Sequence, residues 1–251
     1  MTVSRALAWT FLAVVMLGWA FGGDGVVDLA HRLEGPTRAH FFGTDEVGRD
    51  LLARAWLGGA RSLAVGLALT AFHLVAGSLG AFAAHPWTPA RKALLAGSDL
   101  LASIPAVLLA LLVAALARPG YLGLMLALAI GGWIPYARLA LVELDALRLD
   151  PSLAQSRLMG AGPVRLARTH LLPRIAPVLM AQACVGLGAV ILVEGGLSFL
   201  GVGLPPDRAS WGTMLASART FLLVSPWGLL WPSLGLLGLL LSAGALGQGR
   251  D

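Results

Sequence analysis

Long apolar segments alternate with short polar segments along the whole chain. Crossing the hydrocarbon core of a bilayer as an α-helix takes about 20 apolar residues, and six segments approach that length. The pattern predicts an all-α membrane protein, a polytopic bundle of six transmembrane helices in a single domain over residues 1–251. The expected spans are about 6–21, 63–84, 94–116, 121–142, 177–200 and 226–246.

Composition supports a membrane protein and excludes several other classes. Hydrophobic residues make up 57% of the chain and charged residues only 12%, whereas a soluble domain carries about 25% charged residues. The net charge of +5 does not indicate nucleic-acid binding, because the basic residues lie in short loops between apolar runs. The single cysteine, Cys184, excludes an internal disulfide and a CxxC metal site.

Loop charges predict the orientation in the membrane. Six spans put both termini on one side, together with the basic loop at about 145–175 and with Arg5, Arg91 and Lys92. Basic loops favour the cytoplasm, so we expect both termini to be cytoplasmic. The segment 22–62 then lies outside, although it also contains arginines.

The segment before the second span reads as a loop that turns into a short helix in the membrane interface. Thr44 is the expected N-cap, with Asp45 and Glu46 in the first turn, where the helix dipole favours acids. Asp50 and Arg54 are four residues apart and can pair on the helix surface.

The loop between the fourth and fifth spans has internal order. Pro151 suits the start of a helix, residues 152–159 can be helical, and Gly160 can adopt the left-handed conformation that ends it. Pro163 then opens a second helical piece. We expect a short helix held rigidly between two turns at the membrane surface.

Acids inside apolar spans are costly and indicate function by default. Glu194 lies in the fifth span, among small residues such as Ser198 that allow close helix approach. It either faces a translocation path or makes a hydrogen bond to a neighbouring helix. Asp99, before Pro105 in the third span, either belongs to the path or anchors that helix near the interface.

Several kinds of chemistry are missing from the sequence. There is no G-x-x-x-x-G-K-[ST] phosphate loop and no credible Ser/His/Asp arrangement, so we expect no catalytic residues and no ATP hydrolysis by this chain alone. No two histidines have the HExxH spacing, so we expect no metal site.

A polar pattern before the second span resembles a known family. The segment closely resembles the one that precedes the second helix in C-type subunits of the dipeptide/oligopeptide/nickel permease family of ABC importers. The residues that carry the resemblance are Gly43, Thr44, Asp45, Gly48, Arg49, Asp50, Arg54 and Arg61.

A second pattern supports the same resemblance. Bacterial ABC importer permeases carry a cytoplasmic signature of Glu-Ala-Ala, three residues, Gly, nine residues, Ile, one residue and Leu-Pro. Its spacing is kept here, although the leading Glu is Ala154 and the Ile is His170. The resemblance implies a type I permease fold whose coupling helix fits a groove on an ATP-binding subunit. The implied coupling residues are Ala154, Gln155, Ser156, Arg157, Met159, Gly160, Ala161, Leu172 and Pro173.

The family also implies partners and a location. These are a B-type permease subunit in a heterodimer, two ATP-binding subunits that hold ATP and Mg, an extracytoplasmic substrate-binding protein, and the bacterial inner membrane. No cofactor is expected on this chain itself. Short peptides are the favoured substrate, with nickel or a metal chelate as the alternative.

Two other classes of function remain open at this stage. One is an ATP-independent channel or secondary transporter, and the other is an intramembrane enzyme that uses Glu194 and Asp99. Both leave the patterns at 43–62 and 154–173 unexplained.

Overall fold

The computed structural model describes residues 3–116, 120–148, 150–205 and 207–248, and these ranges contain helices and connecting turns but no β-strand. The α-helices are α1 (Val3–Met16), α2 (Gly18–Phe21), α3 (Leu51–Ala84), α4 (Thr88–Ala102), α5 (Ala106–Leu116), α6 (Tyr121–Gly132), α7 (Ile134–Arg148), α8 (Pro151–Leu158), α9 (Pro163–Leu166), α10 (Leu172–Phe199), α11 (Trp211–Ala218) and α12 (Trp227–Gly247).

Five stretches of the described residues are helical, long and apolar enough to cross a membrane. Helices α4 and α5, which are bent by 87° relative to each other, make a sixth crossing if the two together form one span. The predicted all-α polytopic class is confirmed. The five stretches are Val3–Phe21, Leu51–Ala84, Leu122–Arg148, Val164–Phe199 and Trp227–Gly247.

The bundle has two distinct ends. At the coupling end, which comprises residues 85–92 and 145–172, Arg148 Nη2 donates to the His85 carbonyl at 3.0 Å. At the motif end, which comprises residues 22–50 and 200–226, the Ala209 amide donates to Asp24 Oδ1 at 2.8 Å.

The bent pair α4–α5 passes from one end of the bundle to the other. It starts just after His85 at the coupling end, and it leads to Gly120, whose amide donates to the Gly203 carbonyl at 3.2 Å at the motif end. Pro105 explains the bend, because proline has no amide hydrogen and disfavours helical geometry in the preceding residue. The described helices are therefore consistent with six crossings.

Helix α3 is the centre of the bundle and packs against α1, α7, α10 and α12. Glycines allow the closest approaches: a Cβ on Gly77 would lie 2.5 Å from the Trp133 carbonyl oxygen of the α6–α7 junction. Around the α3–α10 contact, Leu63, Leu187 and Ile191 form a buried apolar cluster with residues of α11 and α12.

The predicted interfacial helix before the second span is wrong. Helix α3 begins at Leu51 and continues without a break to Ala84, so the segment is part of the span. Its N-cap is Asp50, whose Oδ1 accepts from the Ala53 amide at 2.9 Å, and not Thr44. Asp50 also pairs with His40 at 2.9 Å and not with Arg54, because Arg54 turns into the bundle.

Other helix limits differ from the expected ones by several residues. The fourth predicted span is two helices, because α6 ends at Gly132 and α7 continues to Arg148, beyond residue 142. Helix α10 starts at Leu172 and contains Pro177, which the sequence placed at the start of the span. A π-helical turn, Ala167–Leu171, joins α9 to α10 and continues the helical path into the bundle.

Candidate coupling loop and polar sites

The first half of the coupling loop is fixed by Asp150. Its Oδ1 accepts from the Ser152 amide at 2.8 Å and from the Ser152 hydroxyl at 2.6 Å, which caps the start of α8. Its other oxygen forms an ion pair with Arg174 on α10. Asp150 therefore ties the beginning of the loop to the helix that follows it.

Gly160 ends α8 as predicted. Its φ of 82° lies in the left-handed region that glycine adopts without strain. The Ala161 amide donates to the Ser156 carbonyl at 3.0 Å, which is the six-to-one bond of a Schellman motif. The chain therefore reverses sharply at this point.

The two limbs of the loop are held together. The Ser156 hydroxyl and His170 Nε2 share a hydrogen bond of 2.9 Å between α8 and the π-helical turn. Leu153 and Leu166, one on each limb, are both buried. The 150–172 segment is therefore an ordered unit, although His170 stands where the family signature has an Ile.

The tip of this unit is apolar and uncovered within the chain. Leu158 is 90% exposed and Met159 80% exposed, and Val164 is also exposed. The other predicted coupling residues differ in exposure, and the side chain of Arg157 lies outside the described ones. Ala154, Gln155, Gly160, Leu172 and Pro173 are exposed, while Ser156 and Ala161 are half-buried.

Glu194 lies inside the chain and not on its surface. Only 1% of the residue is exposed. Its Oε2 accepts from the Ser62 hydroxyl of α3 at 3.0 Å, and its Oε1 accepts from the Ser198 hydroxyl at 3.1 Å. Of the two predicted roles, this geometry is that of a hydrogen bond to a neighbouring helix.

Asp24 organises the motif end. It forms two hydrogen bonds with Arg61 of α3, at 2.5 and 2.9 Å, and accepts a third from the Ala209 amide. The Arg61 hydrogen bonds are the main reason why the pKa of Asp24 falls to about 2. One carboxylate thus joins the 22–50 loop, α3 and the segment before α11. Sequence reasoning did not identify Asp24 as a site residue.

Asp45 is a second organising carboxylate at the motif end. Its Oδ1 accepts from the amides of Val47 and Arg49, and its Oδ2 accepts from Arg49 Nε at 2.7 Å. Arg54 Nε lies 3.4 Å from the same Oδ2, and Arg54 Nη1 donates to the Asp24 carbonyl at 2.5 Å.

The glycines and the threonine of the same motif shape the loop. Gly43 and Gly48 have φ of 83° and 79°, and a Cβ on Gly48 would collide with the Asp28 carbonyl. The Thr44 hydroxyl donates to the His31 carbonyl at 2.5 Å and accepts from the Glu34 amide at 2.9 Å. The motif before the second span therefore holds a folded loop over the end of the bundle.

Asp99 lies in the last turn of α4, shortly before Pro105. Its Oδ1 accepts from Arg138 Nη2 of α7 at 2.5 Å. Sequence reasoning missed Arg138, although a lone arginine in the apolar stretch that begins at Tyr121 was a usable signal. The structure thus places Asp99 and Glu194 in different environments, one exposed and one buried.

Comparison with known proteins places this architecture in a family. Residues 76–247 match the family described as "Binding-protein-dependent transport system inner membrane component". The chain belongs to this family. The predicted resemblance to ABC importer permeases is therefore confirmed.

Individual relatives cover most of the permease. It is 32% identical to the "Probable D,D-dipeptide transport system permease protein DdpC" of Escherichia coli K12 over 94% of this chain and 81% of that protein. It is 35% identical to the "Di/tripeptide transport system permease protein DppC" of Pseudomonas aeruginosa over 87% of this chain and 73% of that protein. A "Putative peptide permease protein" of Brucella suis is 35% identical over 90% and 76% of the two chains.

Proposed function

We propose that this permease is the transmembrane subunit of an ATP-driven importer of short peptides, and that separate subunits bind and hydrolyse the ATP. The observation that carries the proposal is the coupling loop. An ordered unit at one end of a membrane bundle presents exposed Leu158, Met159 and Val164, and a water-facing apolar tip of this kind marks a protein contact.

The bonds of the loop give a route for motion from an ATPase to the bundle. A displacement of α8 reaches α10 through the Asp150–Arg174 ion pair and through the Ser156–His170 hydrogen bond. Helix α10 in turn is joined to α3 by the hydrogen bond between Glu194 and Ser62. Closure of the ATPase subunits would therefore rock α10 and α3 together.

The remaining partners follow from the two ends of the bundle. A second permease chain of the B type would complete the path, two ATP-binding subunits holding ATP and Mg would dock at the coupling end, and a substrate-binding protein would dock at the motif end. Relatives named for dipeptides and peptides favour peptides over nickel or a metal chelate as the cargo.

Charge supports a cytoplasmic coupling end and both termini on the same side. The family description, which names an inner membrane component, supports a place in the bacterial inner membrane. The arginines of the 22–62 segment weaken the simple count of basic residues. Three of them are held in ion pairs of the folded chain: Arg49 with Asp45 and Glu46, Arg54 with Asp45, and Arg61 with Asp24. Eight other basic residues lie in α1 or at or near the coupling end, an arrangement that the positive-inside rule favours for the cytoplasmic side. They are Arg5, Arg91, Lys92, Arg148, Arg157, Arg165, Arg168 and Arg174. The motif end contains Arg32, Arg38, Arg208 and Arg219.

Copurification tests the docking role. The permease is coexpressed with its ATPase and permease partners, and the amount of ATPase recovered with it is measured for the wild type, Met159→Glu and Leu223→Glu. Leu223 is a matched control, since it is 99% exposed but lies at the motif end. We expect Met159→Glu to lose the ATPase, because a carboxylate cannot enter an apolar groove without a partner, and Leu223→Glu to keep it. Equal recovery with all three proteins would refute the docking role.

A further inference from the structure

Two ion pairs align α4 with α7. Arg91 pairs with Asp145 through contacts of 2.9 and 2.5 Å, and Arg138 pairs with Asp99 at 2.5 Å. A similar number of residues separates the two pairs on each helix, and the order of the paired residues along α4 is the reverse of their order along α7. Helices α4 and α7 are therefore antiparallel neighbours over this stretch.

The Asp99–Arg138 pair lies on the membrane-spanning side of the coupling end. On α7, Arg138 precedes Asp145, where the coupling end begins, by about two helical turns, or about 10 Å. On α4, Asp99 follows Lys92, the last residue of the coupling end on this helix, by about the same distance. Since the hydrocarbon core is about 30 Å thick, a pair at this depth lies within it.

The pair is nevertheless on the surface of the chain. The side chain of Asp99 is 70% exposed and that of Arg138 is 41% exposed, whereas Glu194 is buried. Charged side chains at this depth do not face lipid, because the cost of placing them in hydrocarbon is several kcal/mol each. The exposed side of the pair therefore faces a water-filled path or another protein chain.

The hydrogen bonds of this ion pair favour a water-filled path over contact with another protein chain. Within the described part of the chain, the bonds recorded for this pair use Oδ1 of Asp99 and Nε and Nη2 of Arg138, with Ser98 Oγ accepting from the guanidinium at 3.1 and 3.0 Å. Oδ2 of Asp99 and Nη1 of Arg138 remain available toward the exposed side. A dry subunit interface would leave these charged atoms without solvation, whereas water or a charged ligand would satisfy them.

We propose that Asp99 and Arg138, supported by Ser98, form a binding station in the translocation path for zwitterionic cargo. The carboxylate would receive a free α-ammonium group, and the guanidinium would receive a free α-carboxylate. Arginine suits the second role because its planar donors match a carboxylate. This inference rests on the proposed peptide transport and names the part of the peptide that is recognised.

A cysteine probe tests the site without breaking the ion pair. Ser103 is exposed and lies one helical turn after Asp99, so Ser103→Cys is introduced together with Cys184→Ala in the full complex. A charged, membrane-impermeant thiol reagent is applied with and without an unmodified dipeptide. We expect labelling that the dipeptide slows, but that its N-acetylated, C-amidated form does not slow. Leu237→Cys, at the middle of α12, is the control and should react slowly.

A second variant separates this inference from the proposed function. Asp99→Asn in the Ser103→Cys protein should raise, by at least about tenfold, the dipeptide concentration needed for half-maximal protection from labelling. Copurification of the ATPase subunits with this variant measures whether the complex still assembles. No labelling at residue 103, or protection unchanged by Asp99→Asn, would overturn the binding station. Failure of wild-type, ATP-driven peptide uptake would instead overturn the proposed function.

Discussion

The Ser62 hydroxyl donates a hydrogen bond to Glu194 Oε2 at 3.0 Å and so joins α3 to α10 inside the bundle. Both residues are 1% exposed. The second carboxylate oxygen accepts from Ser198 on the same helix, one turn later. An acid in an apolar span is thus satisfied by two hydroxyls, and it holds together the two helices that would move during transport.

Replacement of Glu194 distinguishes a structural role of this residue from a direct role in transport. Glu194→Gln keeps the volume and can still bond both hydroxyls, so we expect it to cost about 1 kcal/mol of stability. Glu194→Ala removes the acceptor of both hydroxyl hydrogen bonds and leaves a cavity, so we expect the free energy of unfolding to fall by about 2–4 kcal/mol. Thermal unfolding in detergent measures both. If Glu194→Gln instead abolished uptake at unchanged stability, Glu194 would act on the cargo path.

Asp24 should make stability depend on acid pH. Its pKa is about 2 in the folded protein, below its ordinary 3.8, chiefly because of the hydrogen bond from Arg61. The stabilisation is therefore complete above about pH 4 and disappears as the pH falls toward about 2. We expect Asp24→Asn to unfold at a lower temperature than the wild type at neutral pH. That difference should close as the pH falls, and a constant difference would contradict the assignment.

Gly77 should not tolerate a side chain. An alanine there would place its Cβ 2.5 Å from the Trp133 carbonyl oxygen and 2.8 Å from Tyr136 Cβ, so α3 and α7 would have to separate. We expect Gly77→Ala to cost about 1–3 kcal/mol of unfolding free energy. The control is Gly244→Ala in α12, where nothing lies within 4 Å of the added atom. Equal unfolding temperatures for the two variants would count against this packing.

Substitutions of Gly160 test the effect of backbone conformation in the coupling loop separately from that of side-chain size. Its φ is 82° and the space around it is open, so Gly160→Ala introduces backbone strain of about 1–2 kcal/mol without a collision. Gly160→Asn should be milder, because asparagine tolerates the left-handed region. We expect ATPase recovery and uptake to fall in the order wild type, Asn, Ala. Identical values for all three would show that the turn is not needed for coupling.

Much of the fold could be predicted because bilayer thickness imposes a length on every apolar segment. The turn at Gly160 was also predictable, since few residues other than glycine adopt a positive φ there without cost. The break at Pro105 followed from the missing amide hydrogen of proline. The signals at Gly160 and Pro105 are local, and a single residue determines each of them.

The errors arose where distant residues decide the outcome. A separate interfacial helix was predicted before the second span, but Asp45 and Asp24 pair with Arg54 and Arg61, and α3 continues through both arginines. The partner of Glu194 on the neighbouring helix is Ser62, which is 132 positions away in the chain, and nothing in the sequence links the two residues. Pairings of this kind become visible only when the helices are packed.

Uptake of a labelled dipeptide into proteoliposomes tests the central claim most directly. The vesicles hold the reconstituted complex of this permease, its permease partner, the two ATPase subunits and the substrate-binding protein. The account predicts accumulation that requires ATP on the side of the coupling loop and that disappears when this permease is omitted. Uptake by this permease alone without ATP, or ATP-driven uptake in its absence, would contradict it.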